Sequence, residues 1–269
     1  MANEHATVPD AADLLDLAVA TARAAADLAR AHRAEGVADV GTKSTITDLV
    51  TEADRAVERL IVRQIRQHRP HDAFLGEEYG EDNGSEAAVR WVVDPIDGTV
   101  NYVYGLPVYA VSIAAQVGGQ SVAGVVVNAP TGEEWTATRG HGAWRDGRRL
   151  RTGTQTDLGQ ALVATGFAYD AAVRARQAAV VAGVLPRVRD IRRFGAASVD
   201  LCYTAEGQFD AYYERGLNAW DHAAAGLVAA EAGLLVTGLR GAPPSGDMVL
   251  AAPPALHGPL HDLLVALDA

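Results

Sequence analysis

The hydrophobic pattern at the beginning of the chain predicts two amphipathic helices. From Pro9 to about Glu35, alanines and leucines recur between spaced charged residues, and Gly36 follows. This spacing predicts a helix that ends at a glycine. A second helix is predicted to begin at Thr51, with an apolar stripe at helical spacing and a stop at Pro70. The apolar stripes indicate that both helices pack against the rest of the fold.

Beyond these helices, short apolar runs bounded by turn residues predict strands. In the first half of the chain they lie at 73–76, 108–117, 124–128, 134–138, 143–146 and 149–151. Glycine-containing turns between them favour hairpins, and hence an α+β half with antiparallel strands. From about Thr152, apolar strands alternate with helical runs, which is typical of α/β proteins. We therefore predict an N-terminal α+β half, residues 1–151, and a C-terminal α/β half, residues 152–269.

The composition is typical of a globular protein and argues against several functions. With 269 residues, 49% of them hydrophobic, the chain can bury a large core. Its net charge of −11 argues against nucleic-acid and anionic-membrane partners, so local cations must attract any anionic substrate. The single cysteine, Cys202, excludes an internal disulfide and is expected in the core. We find neither a secretory signal nor a membrane-spanning run and expect a cytoplasmic protein.

The most informative stretch is WVVDPIDGTVNYVYGLP, which runs from Trp91 to Pro107. Its apolar beginning predicts the end of a buried strand, and the carboxylates of Asp94 and Asp97 follow directly. Because Pro95 fixes the backbone between them, both carboxylates can face one volume together with the carbonyl oxygen of Ile96. Hard divalent cations prefer such oxygen ligands. The stretch therefore predicts a metal site at the end of a strand.

The next two residues predict a phosphate site beside this metal site. Gly98 and Thr99 offer backbone N–H groups at the start of a new segment, and such groups bind phosphate. On the bare pattern of two acids around a proline, a solvated acidic turn with a helix N-cap is the competing interpretation.

Further carboxylates occur at other predicted strand and helix ends. Glu77 and Glu78 follow the apolar run at 73–76, so a second strand is expected to deliver carboxylates at its end. Asp54 lies three residues after Thr51, a spacing that by itself favours a helix-capping pair. Asp221 precedes an alanine-rich helix, where it would serve as a plain N-cap. For Lys43, the residues alone favour a solvated loop lysine over a phosphate contact.

Two segments resemble the signatures of the inositol monophosphatase family, which comprises lithium-sensitive, magnesium-dependent phosphomonoesterases. DPIDGTVNY, beginning at Asp94, resembles the first signature, and WDHAAAGLVAAEAG, ending at Gly233, resembles the second. The similarity runs from about Val37 to Gly233. The resemblance implies a layered αβαβα sugar-phosphatase fold, two to three Mg²⁺ ions, a phosphorylated polyol or sugar as substrate, and a homodimer.

The resemblance also implies a role for each matching residue. It implies that the metal ligands are Glu77, Asp94, the Ile96 carbonyl, Asp97 and Asp221. It pairs Asp54 with Thr99 to activate the attacking water, and Glu77 contributes to catalysis as a ligand. Glu78 is expected to lie next to the metal ligands without contacting the metal itself. Substrate and phosphate would contact Asp97, Gly98, Thr99, Gly195, Ala196, Ala197, Glu214 and Asp221.

The implied activity is hydrolysis of inositol monophosphate by direct attack of a metal-activated water, without a covalent phosphoenzyme. Histidinol phosphate, fructose 1,6-bisphosphate and adenosine 3′,5′-bisphosphate are alternative substrates on the same scaffold. A metal-binding regulatory protein is an alternative of another class. The sequence departs from the family at Ala196, where a hydroxyl residue is common, and at Leu234, where a glycine is usual.

Overall fold

The computed structural model describes residues 10–37, 40–43, 49–82 and 87–269. The expectation that no secretory signal precedes the first helix concerns residues 1–9, which lie outside the described part. None of the described helices is both long and apolar enough to cross a membrane.

Seven α-helices and fifteen strands make up the described part of the chain. The helices are α1 (Ala11–Glu35), α2 (Glu52–His68), α3 (Thr99–Tyr104), α4 (Ala171–Val184), α5 (Ala197–Ala205), α6 (Ala219–Ala232) and α7 (Pro254–Ala266). The first strands are β1 (Gly41–Thr42), β2 (Leu49–Val50), β3 (Ala73–Gly76), β4 (Gly80–Asp82), β5 (Arg90–Asp97), β6 (Ala110–Val117), β7 (Gln120–Asn128) and β8 (Glu134–Thr138). The remaining strands are β9 (Gly142–Arg145), β10 (Arg148–Arg149), β11 (Leu162–Thr165), β12 (Asp190–Arg192), β13 (Ala211–Glu214), β14 (Leu235–Thr237) and β15 (Val249–Ala252).

Both predicted N-terminal helices are confirmed, and their ends have the expected caps. Asp10 accepts a hydrogen bond from the Ala12 N–H at the start of α1, and Gly36 follows its last residue. Thr51 caps α2, which ends two residues before Pro70. The local cap and stop residues therefore determine where both helices begin and end.

An eight-stranded sheet contains the strands predicted in the first half of the chain. Its order is β10-β9-β8-β7-β6-β5-β3-β4, and every neighbouring pair is antiparallel except β3 and β5. Alternate residues of the central strands face opposite sides: Val111 and Ile113 of β6 pack with α1 and α2, whereas Ala110 and Ala114 face the other layer. This sheet is covered on both faces, which explains why the sequences of its central strands are continuously apolar.

The second sheet has five strands in the order β12-β11-β13-β15-β14. β11 is parallel to both β12 and β13, as an α/β half predicts. β15 is antiparallel to β13 and β14, so the sheet is mixed. The parallel strands are joined by helices: α4 lies between β11 and β12 in the chain, and α5 lies between β12 and β13.

The elements stack in five layers around three apolar cores. Helices α1 and α2 cover one face of the large sheet, and α5 and α6 lie between the two sheets. Helices α4 and α7 cover the outer face of the small sheet. This arrangement confirms the expected layered α+β fold with the order αβαβα. Cys202 is fully buried in the central layer, as expected.

Candidate metal-binding active site

Strand β5 brings two carboxylates to the boundary between the large sheet and the central helices. Its residues are almost entirely buried, and its pairing with β6 shifts register between Asp94 and Asp97. Within this irregular segment, the Asp94 Oδ1 accepts a hydrogen bond of 3.1 Å from the Ile96 N–H. The shift, which surrounds Pro95, turns the end of the strand and lets both carboxylates reach one volume.

Asp221, in the first turn of α6, completes a compact cluster with Asp94 and Asp97. One carboxylate oxygen from each residue lies within 4.8 Å of those of the other two. Asp94 and Asp97 are 2% and 8% exposed, and none of the three forms an ion pair with a described lysine or arginine. Burial raises the pKa of all three, and neighbouring acids raise those of Asp94 and Asp221 further. A divalent cation with oxygen ligands relieves this repulsion, so the donor set fits magnesium.

Glu77 lies beside this cluster at the end of β3. Its N–H donates to the Val93 carbonyl oxygen at 3.3 Å, which ties it to the neighbouring strand β5. Lys43 donates to the Glu77 Oε1 at 2.8 Å and also forms an ion pair with Glu78. Although burial lowers the pKa of Lys43, these two glutamates outweigh burial and raise it. Lys43 lies in a bend and is exposed, as expected of a loop lysine, but its ammonium group is paired with both glutamates.

Asp54 is both a helix cap and a partner of Thr99. Its Oδ2 accepts hydrogen bonds from the Thr51 N–H at 2.7 Å and from the Thr51 hydroxyl at 2.5 Å, which completes the capping box. Its Oδ1 lies 3.3 Å from the Thr99 hydroxyl, which can donate its single proton to this oxygen or to the Ile96 carbonyl oxygen at 3.2 Å. Burial raises the pKa of Asp54 to about 6. The capping role and the pairing with Thr99 thus occur together, as the carboxylate has one oxygen for each.

The N-terminus of α5 binds the second aspartate of the cluster. Asp97 accepts hydrogen bonds from the Ala197 N–H at 3.2 Å and from the Ser198 N–H at 2.7 Å, and the Ser198 hydroxyl donates to it as well. Ser198 was not predicted, because nothing local in its sequence links it to a residue 101 positions away. For Asp221, the plain N-cap was the interpretation that competed with a metal ligand. Asn218 is the N-cap instead, and its N–H donates to the Asp221 Oδ2 at 2.6 Å in a capping box.

Glu214, at the end of β13, is a buried acid on the other side of the cleft. It accepts a hydrogen bond of 2.6 Å from the Tyr212 hydroxyl, and burial raises its pKa to about 7. A Cβ atom on Gly166 would lie 2.0 Å from the Glu214 Oε2, so only glycine leaves room for this carboxylate. Glu214 thus presents a fixed hydrogen-bond acceptor to the cleft.

A cleft of about 400 Å³ joins these groups. Lys43 and Arg193 line it and supply the local positive charge that the acidic chain needs to attract an anion. Gly98, with φ +90°, is the N-cap of α3, and no side chain caps this helix. Asp54 lies behind Thr99 rather than in the lining. The predicted site residues that line the cleft are Glu77, Asp94, Ile96, Asp97, Gly98, Thr99, Gly195, Ala196, Ala197, Glu214 and Asp221.

The fold has five layers in the order αβαβα, and its cleft contains a cluster of carboxylates that could hold a metal ion. These two features define the class of protein: layered α+β proteins with a candidate metal site made of oxygen ligands. The sequence matches the inositol monophosphatase family over residues 10–268, and the chain belongs to this family. The match covers both sheets and every candidate site residue. Membership of this family supports a phosphatase, and the cluster of Asp94, Asp97 and Asp221 could hold a metal ion.

Individual relatives agree with this assignment over nearly the whole chain. The Mycobacterium leprae protein described as inositol-1-monophosphatase is 46% identical over an alignment of 271 positions, gaps included, that covers 93% of each chain. The solved structure of Mycobacterium tuberculosis SuhB is 42% identical, with a TM-score of 0.81 and coverage of 96% of this chain and 97% of that one. The Escherichia coli K12 protein described as Nus factor SuhB is 39% identical over 230 residues, or 85% of this chain and 86% of that one.

Proposed function

We propose that the protein is a magnesium-dependent phosphomonoesterase that hydrolyses inositol monophosphate to inositol and phosphate. The observation that carries this proposal is the convergence of Asp94, Asp97 and Asp221 in one cleft, next to the N-terminus of α3. The three acids come from two elements that lie more than a hundred residues apart in sequence. Such a set, in which Asp94 and Asp97 are buried and Asp221 is half-buried, is costly unless a cation neutralises it.

The chain offers oxygen ligands for more than one ion. Glu77, Asp94 and the Ile96 carbonyl would hold one Mg²⁺, and Asp94, Asp97 and Asp221 a second, with a weaker third ion near Glu77. When bound, magnesium lowers the pKa of water and neutralises charge on phosphate oxygens. The expected lithium inhibition would result from competition for one of these positions.

Thr99 and Asp54 are proposed to orient the attacking water and receive its proton. When the Thr99 hydroxyl donates to the Asp54 Oδ1, the Thr99 oxygen is free to accept a hydrogen bond from a water. A pKa of about 6 at Asp54 is close to the pH at which a general base works best. The N–H groups of Gly98 and Thr99, at the start of α3, are proposed to bind phosphate oxygens.

The proposed substrate is a polyol phosphate because the far side of the cleft offers a hydrogen-bond acceptor. Glu214 can accept from a substrate hydroxyl, as its second oxygen is not used by Tyr212. Ala196 and Ala197 line the same side without a hydroxyl of their own. The similarity to the Mycobacterium leprae protein described as inositol-1-monophosphatase supports inositol monophosphate as the polyol phosphate.

Two alternatives follow from the relatives and from the scaffold. Histidinol phosphate, fructose 1,6-bisphosphate and adenosine 3′,5′-bisphosphate could enter the same kind of site. The Escherichia coli relative is described as a Nus factor, which supports a regulatory protein acting through a protein partner as the alternative of another class. Homodimerisation and a cytoplasmic location stay predictions.

The test is phosphate release from inositol 1-phosphate and the three alternative substrates, each with and without Mg²⁺. We expect magnesium-dependent release with the highest kcat/KM for inositol 1-phosphate. Glu214→Gln should raise the KM for this substrate more than it lowers kcat, because the residue contacts the polyol rather than the reacting atoms. If another substrate is preferred, the phosphatase proposal holds and the substrate is wrong. If folded, metal-loaded protein releases no phosphate, the regulatory alternative is favoured.

A further inference from the structure

A buried glutamate outside the cleft, Glu58, is not explained by the proposed chemistry. It lies on α2, one helical turn after Asp54, and is only 1% exposed. Burying a carboxylate without a compensating partner costs several kcal/mol on the order-of-magnitude scale for ions in protein interiors. No lysine or arginine of the described chain forms an ion pair with it. Other contacts must therefore offset the cost of burying the Glu58 carboxylate.

Two backbone hydrogen bonds compensate for the burial of the Glu58 carboxylate. Its Oε2 accepts two backbone hydrogen bonds, from the Glu78 N–H at 2.9 Å and from the Tyr79 N–H at 3.1 Å. Both donors belong to the turn between β3 and β4, directly after Glu77. When the carboxylate is ionised, hydrogen bonds of this kind are charge-assisted and stronger than neutral ones. Glu58 therefore fixes the backbone of the turn that carries Glu77.

The fit between Glu58 and this turn is close on its other side as well. A Cβ atom on Gly76 would lie 1.6 Å from the Glu58 Oε1, so any side chain at this position would displace the carboxylate. Gly76 is not in the left-handed region, and the requirement for glycine here is one of space rather than of backbone conformation. The carboxylate is thus enclosed between helix α2 and strand β3, which ends one residue before Glu77.

Two attachments hold Glu77 in place. On one side, its own N–H is bonded to Val93 in β5, next to Asp94. On the other, Glu58 attaches the following residues to α2, the helix that carries Asp54. Asp54 and Glu58 are four residues apart on one face of α2. Because Glu58 holds the turn that follows Glu77, this helix fixes the distance between Asp54 and that turn.

We propose that Glu58 is a positioning residue that fixes the Glu77 turn against α2 and thereby sets the affinity of the site for its divalent cation. This inference rests on the proposed function, in which Glu77 is a metal ligand. Residues that orient metal ligands typically contribute about ten- to a hundredfold to metal affinity. Glu58 acts through the backbone of the turn and touches neither the cation nor the substrate.

The test is equilibrium binding of Mn²⁺ to the full-length protein, measured by electron paramagnetic resonance of the free ion. We expect Glu58→Ala to weaken Mn²⁺ binding about tenfold or more. Glu58→Gln keeps an oxygen acceptor for both N–H groups and should restore most of the affinity. Glu52→Ala, at an exposed position of the same helix, is the matched control and should bind Mn²⁺ like the wild type. In activity assays, Glu58→Ala should raise the Mg²⁺ concentration for half-maximal rate more than it lowers kcat.

A second variant covers the case in which Glu58→Ala does not fold. Gly76→Ala should displace the Glu58 carboxylate and weaken Mn²⁺ binding. Adding Gly76→Ala to Glu58→Ala, which removes the group that the new methyl would meet, should cost less than Gly76→Ala costs alone. Equal Mn²⁺ affinity in the wild type, Glu58→Ala and Gly76→Ala would overturn this inference alone. Failure of the wild type to bind Mn²⁺ would overturn the proposed function and this inference together.

Discussion

Asp97 and Ser198, 101 positions apart, are joined by two hydrogen bonds to one carboxylate oxygen. Asp97 ends a strand of the large sheet, and Ser198 lies in the first turn of α5, whose own N-cap residue, Ala196, makes no side-chain bond. Asp97 therefore caps a helix that belongs to another part of the chain. A proposed metal ligand thus also connects the large sheet to the central helical layer.

Replacing Ser198 by alanine should destabilise the metal-free protein. The change leaves a buried carboxylate oxygen with one hydrogen bond fewer, at a cost of about 1–3 kcal/mol in the free energy of unfolding. Chemical denaturation in EDTA measures this loss. Thr204→Val is the matched control: Thr204 is equally buried on the same helix, but its hydroxyl bonds the carbonyl oxygen of Asp200. Equal losses in the two variants would contradict the role assigned to the Asp97–Ser198 pair.

Asp54→Asn should abolish most activity while the metal site stays intact. An amide cannot take the proton that the proposed mechanism transfers, and loss of a general base costs about 10²–10⁴ in rate. Phosphate release and Mn²⁺ binding, measured on the same preparation, separate the two effects.

Thr51→Val serves as the control for the capping role of Asp54. It removes the hydroxyl of the capping box and should lower the free energy of unfolding by about 1 kcal/mol. Its loss of activity should be much smaller than that of Asp54→Asn. If Thr51→Val reduces activity as much as Asp54→Asn does, then Asp54 acts only as a helix cap.

The metal-free protein should become less stable as the pH rises from 5 to 8. Burial raises the pKa of Glu58 and of Glu214 to about 7, from 4.5 in the unfolded chain. The folded state then binds more protons at these two carboxyls than the unfolded state between these values. The stability that they contribute is therefore fully present below pH 4.5 and is lost as the pH rises through 7. With a loss on the order of a few kcal/mol, the Tm in EDTA should fall by about 5–10 °C.

Two variants check the source of this pH dependence. Glu58→Gln and Glu214→Gln remove the two titrating groups, and each should flatten the fall in Tm between pH 5 and pH 8. A Tm that stays constant or rises over this range in the wild-type protein would contradict the raised pKa values of these two carboxyls.

Magnesium should stabilise the protein more at pH 8 than at pH 5. Metal ligands must be deprotonated to bind, and the pKa values of Asp94, Asp97 and Asp221 are raised in the metal-free site. A ligand at about 100 times its Kd adds roughly 2.7 kcal/mol of stability. Thermal unfolding with and without Mg²⁺ measures the difference, and Asp221→Asn should reduce it. An equal Mg²⁺ effect at both pH values would argue against binding at this cluster.

The parts of the site that the sequence predicts are those delivered by local structure. Glu77, Asp94 and Asp97 each follow a recognisable apolar strand, and Asp221 precedes a recognisable helix. Because the ends of buried strands and helices meet at the boundary between layers, these acids could be expected to converge. The five layers follow from the same alternation of apolar elements once the family resemblance supplies their order.

The remaining parts depend on contacts between distant segments, which no local pattern records. Ser198 reads as a small residue in an apolar helix, yet it binds Asp97 from another sheet. Lys43 reads as a loop lysine, yet it lies against Glu77 and Glu78. Glu58 reads as one more surface charge of an amphipathic helix, although it is buried against the Glu77 turn. Hydrogen bonds between segments, rather than hydrophobic periodicity, decide all three positions.

The most direct test of the central claim is phosphate release from inositol 1-phosphate as a function of Mg²⁺ concentration, in the wild type and in Asp94→Asn. Asp94 is proposed to contact both main ions, so no other single change should affect the metal site as strongly. We predict saturable, magnesium-dependent release by the wild type and a loss of at least about a hundredfold in Asp94→Asn, in line with removal of a metal's charge stabilisation. Release that is independent of Mg²⁺, or that persists unchanged in a folded Asp94→Asn variant, would contradict the account.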